Sequence, residues 1–397
     1  MGEWKETKWG NIVTLEYGKS LKGYQEKISG YRVYGTNGPI GWHEESLCDE
    51  AGVIIGRKGA YRGVHYSPDP FFVIDTAFYL KPKTKIDILW AYYSLLLCDI
   101  NSMDSGSAIP STSREDFYNL PVFLPPLPVQ KRIASILGTL DDKIELNRRM
   151  SATLEQMAQA LFRSWFVDFA PVRAQAEGRP TGLPPHIARL FPSEFEESPL
   201  GQIPKGWRVG TVGDVAEISR DSIVPGDFAE EIFDHFSIPA FDSGKNPVKD
   251  FGVSIQSQKF RVRPDCILVS KLNPRTPRIW IPSCPSEYRQ IASTEFLVCH
   301  TKEPFGRSYF FCLSCDPIFL QYQESRATGT SNSHQRVRPQ DFLAYPTSIP
   351  PEQLIKAFEY TIMPLVERLL NIREESRTLS SLRDTLLPKL LSGELEV

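Results

Sequence analysis

Apolar residues recur with a helical period over two long stretches of this chain and gather into short runs elsewhere. Between Pro128 and Phe169 only Gly138 breaks an otherwise Pro- and Gly-free interior. Heptads place Leu137, Ile144, Ser151, Ala158 and Trp165 at a, with Leu140, Asn147, Leu154 and Leu161 at d. The same register, 225 residues on, puts Ile362, Leu369, Ser376, Arg383 and Leu390 at a, with Leu365, Ile372, Leu379 and Leu386 at d. The pattern predicts two helices of about 40 residues, each roughly 60 Å long, whose 3.5-residue seams bury against each other. Asn147, Ser151, Ser376 and Arg383 interrupt the seam with polar groups, which lowers stability and fixes register. Pro364 and Pro388 are expected to kink or end the second helix locally.

Outside these stretches, β-rich runs at 52–56, 71–80 and 291–300 are broken by Gly, Pro and Asn, and each region holds one apolar helix, near 88–100 and 309–323. The fold class is α+β. Two globules, 1–127 and 206–350, alternate with spacer helices at 128–170 and 351–397, and a Pro-rich connector of little periodicity, 171–205, is long enough to carry the chain across the molecule.

The second globule repeats the first in order. Trp4-x4-Trp9-Gly10-Asn11-Ile12 resembles Trp207-x4-Val212-Gly213-Asp214-Val215, residues 54–58 resemble 267–271, and Thr76-x-Phe78 resembles Thr294-x-Phe296. Residues 92–99 resemble 309–316, and Asp116-Phe117 and Pro125-Pro126 match Asp341-Phe342 and Pro350-Pro351. The order globule–helix–globule–helix implies a pseudo-two-fold repeat whose helices pair as an antiparallel coiled coil. Two unlike globules on a rigid spacer suit two unrelated half-sites about one turn of B-DNA apart, on the order of 34 Å.

Charge changes this picture only locally. The net charge is −3, from 45 Lys and Arg against 48 Asp and Glu, but binding to phosphates depends on local basic surface. Three windows supply it. Gly56–His65 holds Arg57, Lys58 and Arg62 with no acid, Lys259–Arg278 holds six cations against Asp265, and Arg326–Arg338 holds three with no acid. No apolar run is long enough for a membrane span, the N-terminus has no signal core, and seven irregularly spaced cysteines read as reduced thiols. A cytoplasmic protein without membrane contact is expected.

Catalysis is not expected. The Asn-Pro runs at Asn246-Pro247-Val248 and Asn273-Pro274-Arg275 do not form the Asn/Asp-Pro-Pro-aromatic loop of an amino-methyltransferase. Gly18-Lys19-Ser20 has Val13 where a phosphate loop requires its first Gly. Cys312-x-x-Cys315 is a lone pair where structural zinc needs four ligands, and His43, His65, His235 and His334 make no metal-ligand spacing. No metal and no cofactor is assigned to this chain.

For DNA contact, Arg and Lys suit guanine or phosphate and Asn suits adenine. The candidates in the first globule are Asn37, Arg57, Lys58, Tyr61 and Arg62. In the second they are Lys271, Asn273, Arg275, Arg278, Ser331, Asn332, His334 and Arg336. Lys58 and Lys271 align as a cation after the same strand. Replacing Lys58 and Arg62 by Ala is expected to weaken binding at one half-site and leave the fold intact.

The runs at Tyr34–Trp42 and Gly56–Gly63, the Gly106 and Gly329 segments leading into Asp116-Phe117 and Asp341-Phe342, the stretch Leu124–Met150 and the closing Leu386–Leu395 together resemble the specificity subunit of type I restriction-modification enzymes. That resemblance covers essentially the whole chain. It implies two target-recognition domains reading a bipartite asymmetric site in double-stranded DNA, and two helices acting as a ruler. It also implies two modification subunits that bind S-adenosylmethionine and methylate adenine at N6, and restriction subunits that use ATP and Mg²⁺, all on partner chains. The segment Lys271–Pro282 is unusually interrupted by Pro for that pattern. The alternatives are the specificity subunit of a related methyltransferase or nuclease system, a chain that itself cuts or methylates DNA, and a coiled-coil scaffold without DNA reading.

Overall fold

The computed structural model describes residues 4–59, 61–103, 110–282, 286–329 and 335–397. Two units emerge: Met1–Glu145 with Thr378–Val397, and Leu146–Arg377. The division cuts through both long helices, so that each unit owns one end of each. The sequence pattern had set those helices apart as domains of their own.

The first unit opens with β1 (Lys5–Lys8), the single turn α1 (Trp9–Ile12) and β2 (Val13–Tyr17). A two-residue turn, Thr36-Asn37, joins β3 (Tyr31–Gly35) to β4 (Gly38–His43), with Gly38 at φ +107°, where a side chain would be strained. Then come β5 (Gly52–Gly56), β6 (Val64–Ser67), β7 (Phe71–Val73), β8 (Ala77–Pro82), α2 (Ile88–Leu96), α3 (Arg114–Asn119), β9 (Pro121–Leu124) and the 40-residue α4 (Leu127–Phe166). Strands order as β2-β8-β5-β6 and β4-β3-β7, and β1 pairs with β9. β5 is buried along its whole length, as a continuous apolar run in the middle of a covered sheet should be. Asp87 and Ser113 start α2 and α3 by accepting the amides of Trp90 (2.9 Å) and Asp116 (3.1 Å).

The second unit starts with α5 (Ala170–Ala176), α6 (Pro185–Ala188) and the hairpin β10 (Phe195–Ser198) and β11 (Gly201–Pro204). Next are β12 (Arg208–Thr211), α7 (Val212–Val215), β13 (Ala216–Ile218), β14 (Ser222–Ile223), β15 (Ile232–Phe236), α8 (Ile238–Asp242), β16 (Val248–Phe251) and β17 (Lys259–Arg261). β18 (Cys266–Ser270), β19 (Ile279–Trp280), β20 (Arg289–Ala292), β21 (Phe296–Thr301), α9 (Arg307–Cys315), α10 (Pro317–Arg326), α11 (Pro339–Leu343), β22 (Pro346–Ile349) and the 41-residue α12 (Glu352–Ser392) complete it. The sheets order as β13-β21-β18-β19 and β14-β17-β20-β15-β16, with β12 paired to β22. Each unit has one parallel strand pair among its described residues, β3–β7 and β15–β20.

Both cores are built on the long helices. In the first unit, Trp9, Trp90 and Phe117 pack with Leu137 of α4 and with Leu387, Leu390 and Leu391 of α12. Asp141 of α4 accepts from Tyr93 of α2 and from Arg383 of α12, both at 2.7 Å. In the second, Phe162, Trp165 and Phe166 of α4 and Phe358, Ile362 and Val366 of α12 share a cluster with Tyr309 and Trp207. Phe358 meets Phe166 at 4.9 Å and Trp165 at 5.5 Å between ring centroids, tilted toward edge-to-face. Glu359 of α12 accepts the Tyr309 amide at 2.7 Å in the first turn of α9. Burial pushes the pKa of Glu359 up, against the N–H groups that favour its charge.

Every seam position named from the sequence is buried or half-buried, while Ile136, Leu146, Met157, Met363 and Leu382 of the same helices are exposed. Asn147 is fully buried and donates to Glu375 at 3.0 Å.

The structure refines three expectations. α12 runs unbroken through Pro364 and Pro388. Both prolines are exposed, and the buried Ile362, Val366, Leu387 and Leu390 beside them offset a local cost of about 3 kcal/mol. The 171–205 connector is packed: Val172, Ile187, Phe191 and Ile203 are buried in the core of the second unit. Its apolar residues are too sparse to show a period, and tertiary contact alone orders them. The single helix expected near 309–323 is two, because Asp316 caps α10 from outside and Pro317 occupies its first position. Phe358→Ala should remove about 3–5 kcal/mol from the second unit, read as a lowered denaturant midpoint at unchanged helix content.

Candidate nucleic-acid interface

In the first unit, loops from five places in the chain are tied into one cluster by main-chain hydrogen bonds. Gly18 and Lys19, after β2, donate to Ala77 and Val73 carbonyls at 3.1 and 2.9 Å. Arg57 and Lys58, after β5, donate to Thr76 O at 2.9 and 3.2 Å. The Thr36 hydroxyl shares one proton between Lys58 O and Thr76 O, at 2.8 and 2.7 Å. Gly56 N meets Gly63 O at 2.8 Å and closes the 57–62 loop, and Thr112 N reaches Arg57 O at 2.9 Å. Gly56 has to be glycine, because a Cβ there would lie 2.7 Å from Thr36 O and 2.9 Å from Arg62 Cα.

The predicted residues do not share one fate. Asn37 and Lys58 are exposed, and Tyr61 is 80% exposed. Arg57 is half-buried, with its guanidinium carbon 4.7 Å from the Tyr17 ring centroid and Nη1 2.9 Å from Asp75 O. Arg62 is a correction. At 3% exposure its Nη2 donates to Asn101 O and its amide to Asn101 Oδ1, both at 2.7 Å, so it braces the loop from inside. Neighbouring His65 fills the space over Gly38 and Gly63, and burial pushes its pKa below the usual value.

The second unit has a corresponding cluster with different electrostatics. Lys271 N donates to Glu295 O at 3.0 Å, Val337 N to Lys271 O at 2.9 Å, and Asn273 N to Gln335 O at 2.8 Å. These bonds set Lys271 in the position Arg57 holds in the first unit, and Glu295 in that of Thr76. The pairings of Lys58 with Lys271 and of Thr76 with Thr294 are therefore off by one residue. Short runs of similar letters align well in more than one register, and hydrogen bonds decide between them. Asn273 is left-handed at φ +48°.

The three described arginines here face carboxylates: Arg275 with Glu324 at 2.7 Å, Arg278 with Asp242 at 2.7 and 2.8 Å, and Arg336 with Glu295 at 3.0 and 2.9 Å. The Arg336 hydrogen bonds hold Glu295 below the usual carboxylate range. The forked pair at Arg278, its side chain only 11% exposed, is a structural tie. Ser331, Asn332 and His334 lie outside the described residues.

A feature that went unseen in the sequence recurs in both units. Lys83 caps α1 from below, Nζ to Gly10 O at 2.6 Å and N to Ile12 O at 2.8 Å, and Lys302 treats α7 likewise, with Gly213 O and Val215 O at the same distances. Each lysine follows its strand directly, which is the one sequence signal that marks the pair. Tyr17, Thr36 and Arg114 were also missed, since nothing in the local sequence says that their loops converge.

Residues 1–156 match the family model described as type I restriction modification DNA specificity domain. This segment is therefore similar to a type I specificity domain. Related proteins include the HindI specificity subunit of Haemophilus influenzae, 26% identical over 85% of this chain and 84% of that protein. The MjaIX specificity subunit of Methanocaldococcus jannaschii is 24% identical over 75% of this chain and 66% of that protein. The chain shares its fold with the crystal structure of a type I restriction-modification S subunit from M. genitalium. The TM-score is 0.60 at 15% identity, covering 98% of this chain and 96% of that one.

The loop cluster of the first unit lies wholly within the matched specificity domain. No helix among the described residues is long and apolar enough to cross a membrane, and no group of three or more His, Cys, Asp or Glu among them is placed to hold a metal ion. Cys312 and Cys315 sit on α9, where burial pushes both thiols up, Cys315 to about 12. Asn101→Ala should destabilise the specificity domain by about 1–3 kcal/mol, by leaving the Arg62 amide without its acceptor. Lys58→Ala should leave the melting temperature unchanged, and thermal unfolding of the two variants separates the brace from the surface.

Proposed function

We propose that this chain is the DNA-recognition subunit of a type I restriction-modification complex and carries no catalytic site. Each unit reads one half of a bipartite, asymmetric site in double-stranded DNA. α4 and α12 pair as an antiparallel coiled coil that sets the spacing and docks two methyltransferase subunits. In that assembly S-adenosylmethionine belongs to the methyltransferase subunits, and ATP and Mg²⁺ to restriction subunits. The setting is cytoplasmic.

The observation that carries this reading is that a loop cluster with exposed Lys58, Asn37 and Tyr61 falls inside the matched specificity domain. Two further facts support it. In the second unit the partners along α4 and α12 run in opposite directions, 147 with 375 and 166 with 358. The two units also repeat the α1–Lys83 and α7–Lys302 arrangement in differing sequence contexts. Charge on the reading face differs between them. Among the described residues Arg57 and Lys58 of the first unit face no carboxylate, and the second unit holds Arg275 and Arg336 in exposed ion pairs that phosphates can compete for.

The test is selection of bound duplexes from a random pool, with the full chain alone and with a type I methyltransferase subunit. Two short fixed blocks at constant spacing should emerge, with adenine methylation only when the partner and S-adenosylmethionine are present. Lys58→Ala should flatten the dependence of log affinity on log salt by about one unit at unchanged block sequence. A pool that emerges unselected, or methylation by the chain alone, overturns the proposal.

A further inference from the structure

We infer that Arg57 reads a guanine in the half-site addressed by the first unit, and that Tyr17 is the positioning residue that holds its guanidinium flat for that contact. This rests on the DNA-reading function proposed above.

An arginine side chain has five N–H donors in a planar fork. Among the described residues, the Arg57 side chain makes one hydrogen bond, from Nη1 to Asp75 O at 2.9 Å. It faces no carboxylate there, unlike Arg275, Arg278 and Arg336 of the second unit. Among the described residues its remaining donors have no protein partner, and none of its nitrogens is both sealed from solvent and unpartnered.

Its orientation is set from two sides. The Tyr17 ring lies 4.7 Å and the Phe78 ring 5.7 Å from the guanidinium carbon, and the two rings pack on each other at 5.0 Å. Tyr17 is 48% exposed, so the stack ends at the surface. A second guanidinium, Arg114, stands 5.2 Å from the same ring, and its Nη2 donates to the Tyr118 hydroxyl at 3.0 Å. Two cations against one aromatic ring, with no acid among the described residues bound to either, form a donor-rich, positively charged floor.

Depth and chemistry then choose the ligand. Arg57 is half-buried at the base of its loop, while Lys58 and Tyr61 are exposed at the rim. Phosphate contacts position a protein on the duplex, and base-edge contacts carry the sequence. Guanine presents two acceptors, O6 and N7, to a planar fork, whereas adenine puts an N–H donor beside its N7 and repels a second N–H. A fixed guanidinium plane favours the two-acceptor edge. In the second unit Lys271 holds the corresponding position without a fork, so the inference concerns the first unit alone.

The duplex selection is repeated with the full-length variants Arg57→Lys, Tyr17→Leu and Tyr17→Phe, each checked for an unchanged melting temperature. The unsubstituted chain should fix a guanine in one block. Arg57→Lys, which keeps the charge and loses the fork, should reduce preference for that guanine on the order of 10- to 100-fold. The second block and the salt dependence should stay as they were. Tyr17→Leu should lower the same preference at the same position, and Tyr17→Phe, which keeps the ring, should retain it. Undiminished guanine preference in Arg57→Lys, or a block fixed without any guanine, overturns the inference while the DNA-reading function stands. Loss of affinity spread evenly over all sequences would make Arg57 a phosphate contact and also overturns it. A pool left unselected by the unsubstituted chain overturns the inference together with the function it rests on.

Discussion

A forty-residue helix with an apolar stripe is stable in water only if something covers the stripe along its length, because helix propensity alone contributes little. In the first unit the cover for α4 and α12 comes from Trp9, Trp90 and Phe117; in the second it comes from Tyr309, Trp207 and the segment that follows α4. Neither globule closes its core without helical residues, and neither helix buries its seam without a globule. That mutual dependence places the unit boundaries inside the helices. It also explains why Pro364 and Pro388 are tolerated, since burial on either side outweighs one missing hydrogen bond.

The same dependence gives each globule a fixed attachment. Asp141 ties α2 to α12 through Tyr93 and Arg383, and Glu359 receives the first-turn amide of α9. These are buried or half-buried charge-assisted bonds, which hold one geometry more tightly than apolar contact does. Loops that must present side chains to an extended ligand gain from such a footing, because the ligand's affinity then need not pay for ordering them.

On that footing the two units carry opposite electrostatic arrangements at matched positions. Where Thr36 and Thr76 knit the first cluster, and no acid among the described residues meets Arg57 or Lys58, Glu295 stands in the second and binds Arg336. Matched scaffolds with unlike side chains suit the proposed reading of two unrelated sequences. Lys83 and Lys302 keep the scaffold alike while the loop tips differ.

Periodicity determined the two long helices, because a repeat of three and a half residues over forty positions is a local property that few alternatives fit, and the short β-rich runs between them gave the α+β class. Local charge marked the basic window Gly56–His65. Tertiary structure decided the rest, for reasons that are not local. Arg57, Lys58 and Arg62 look alike in sequence, yet one is stacked on Tyr17, one is exposed and one is buried on Asn101. Which fate each takes depends on Thr36, Thr76, Asn101 and Thr112, up to 55 residues away. The Pro-rich 171–205 segment has no period to read and is ordered only by the core it fills. The sequence could therefore name the loop, while the fold alone assigned its residues to the floor, the rim or the brace.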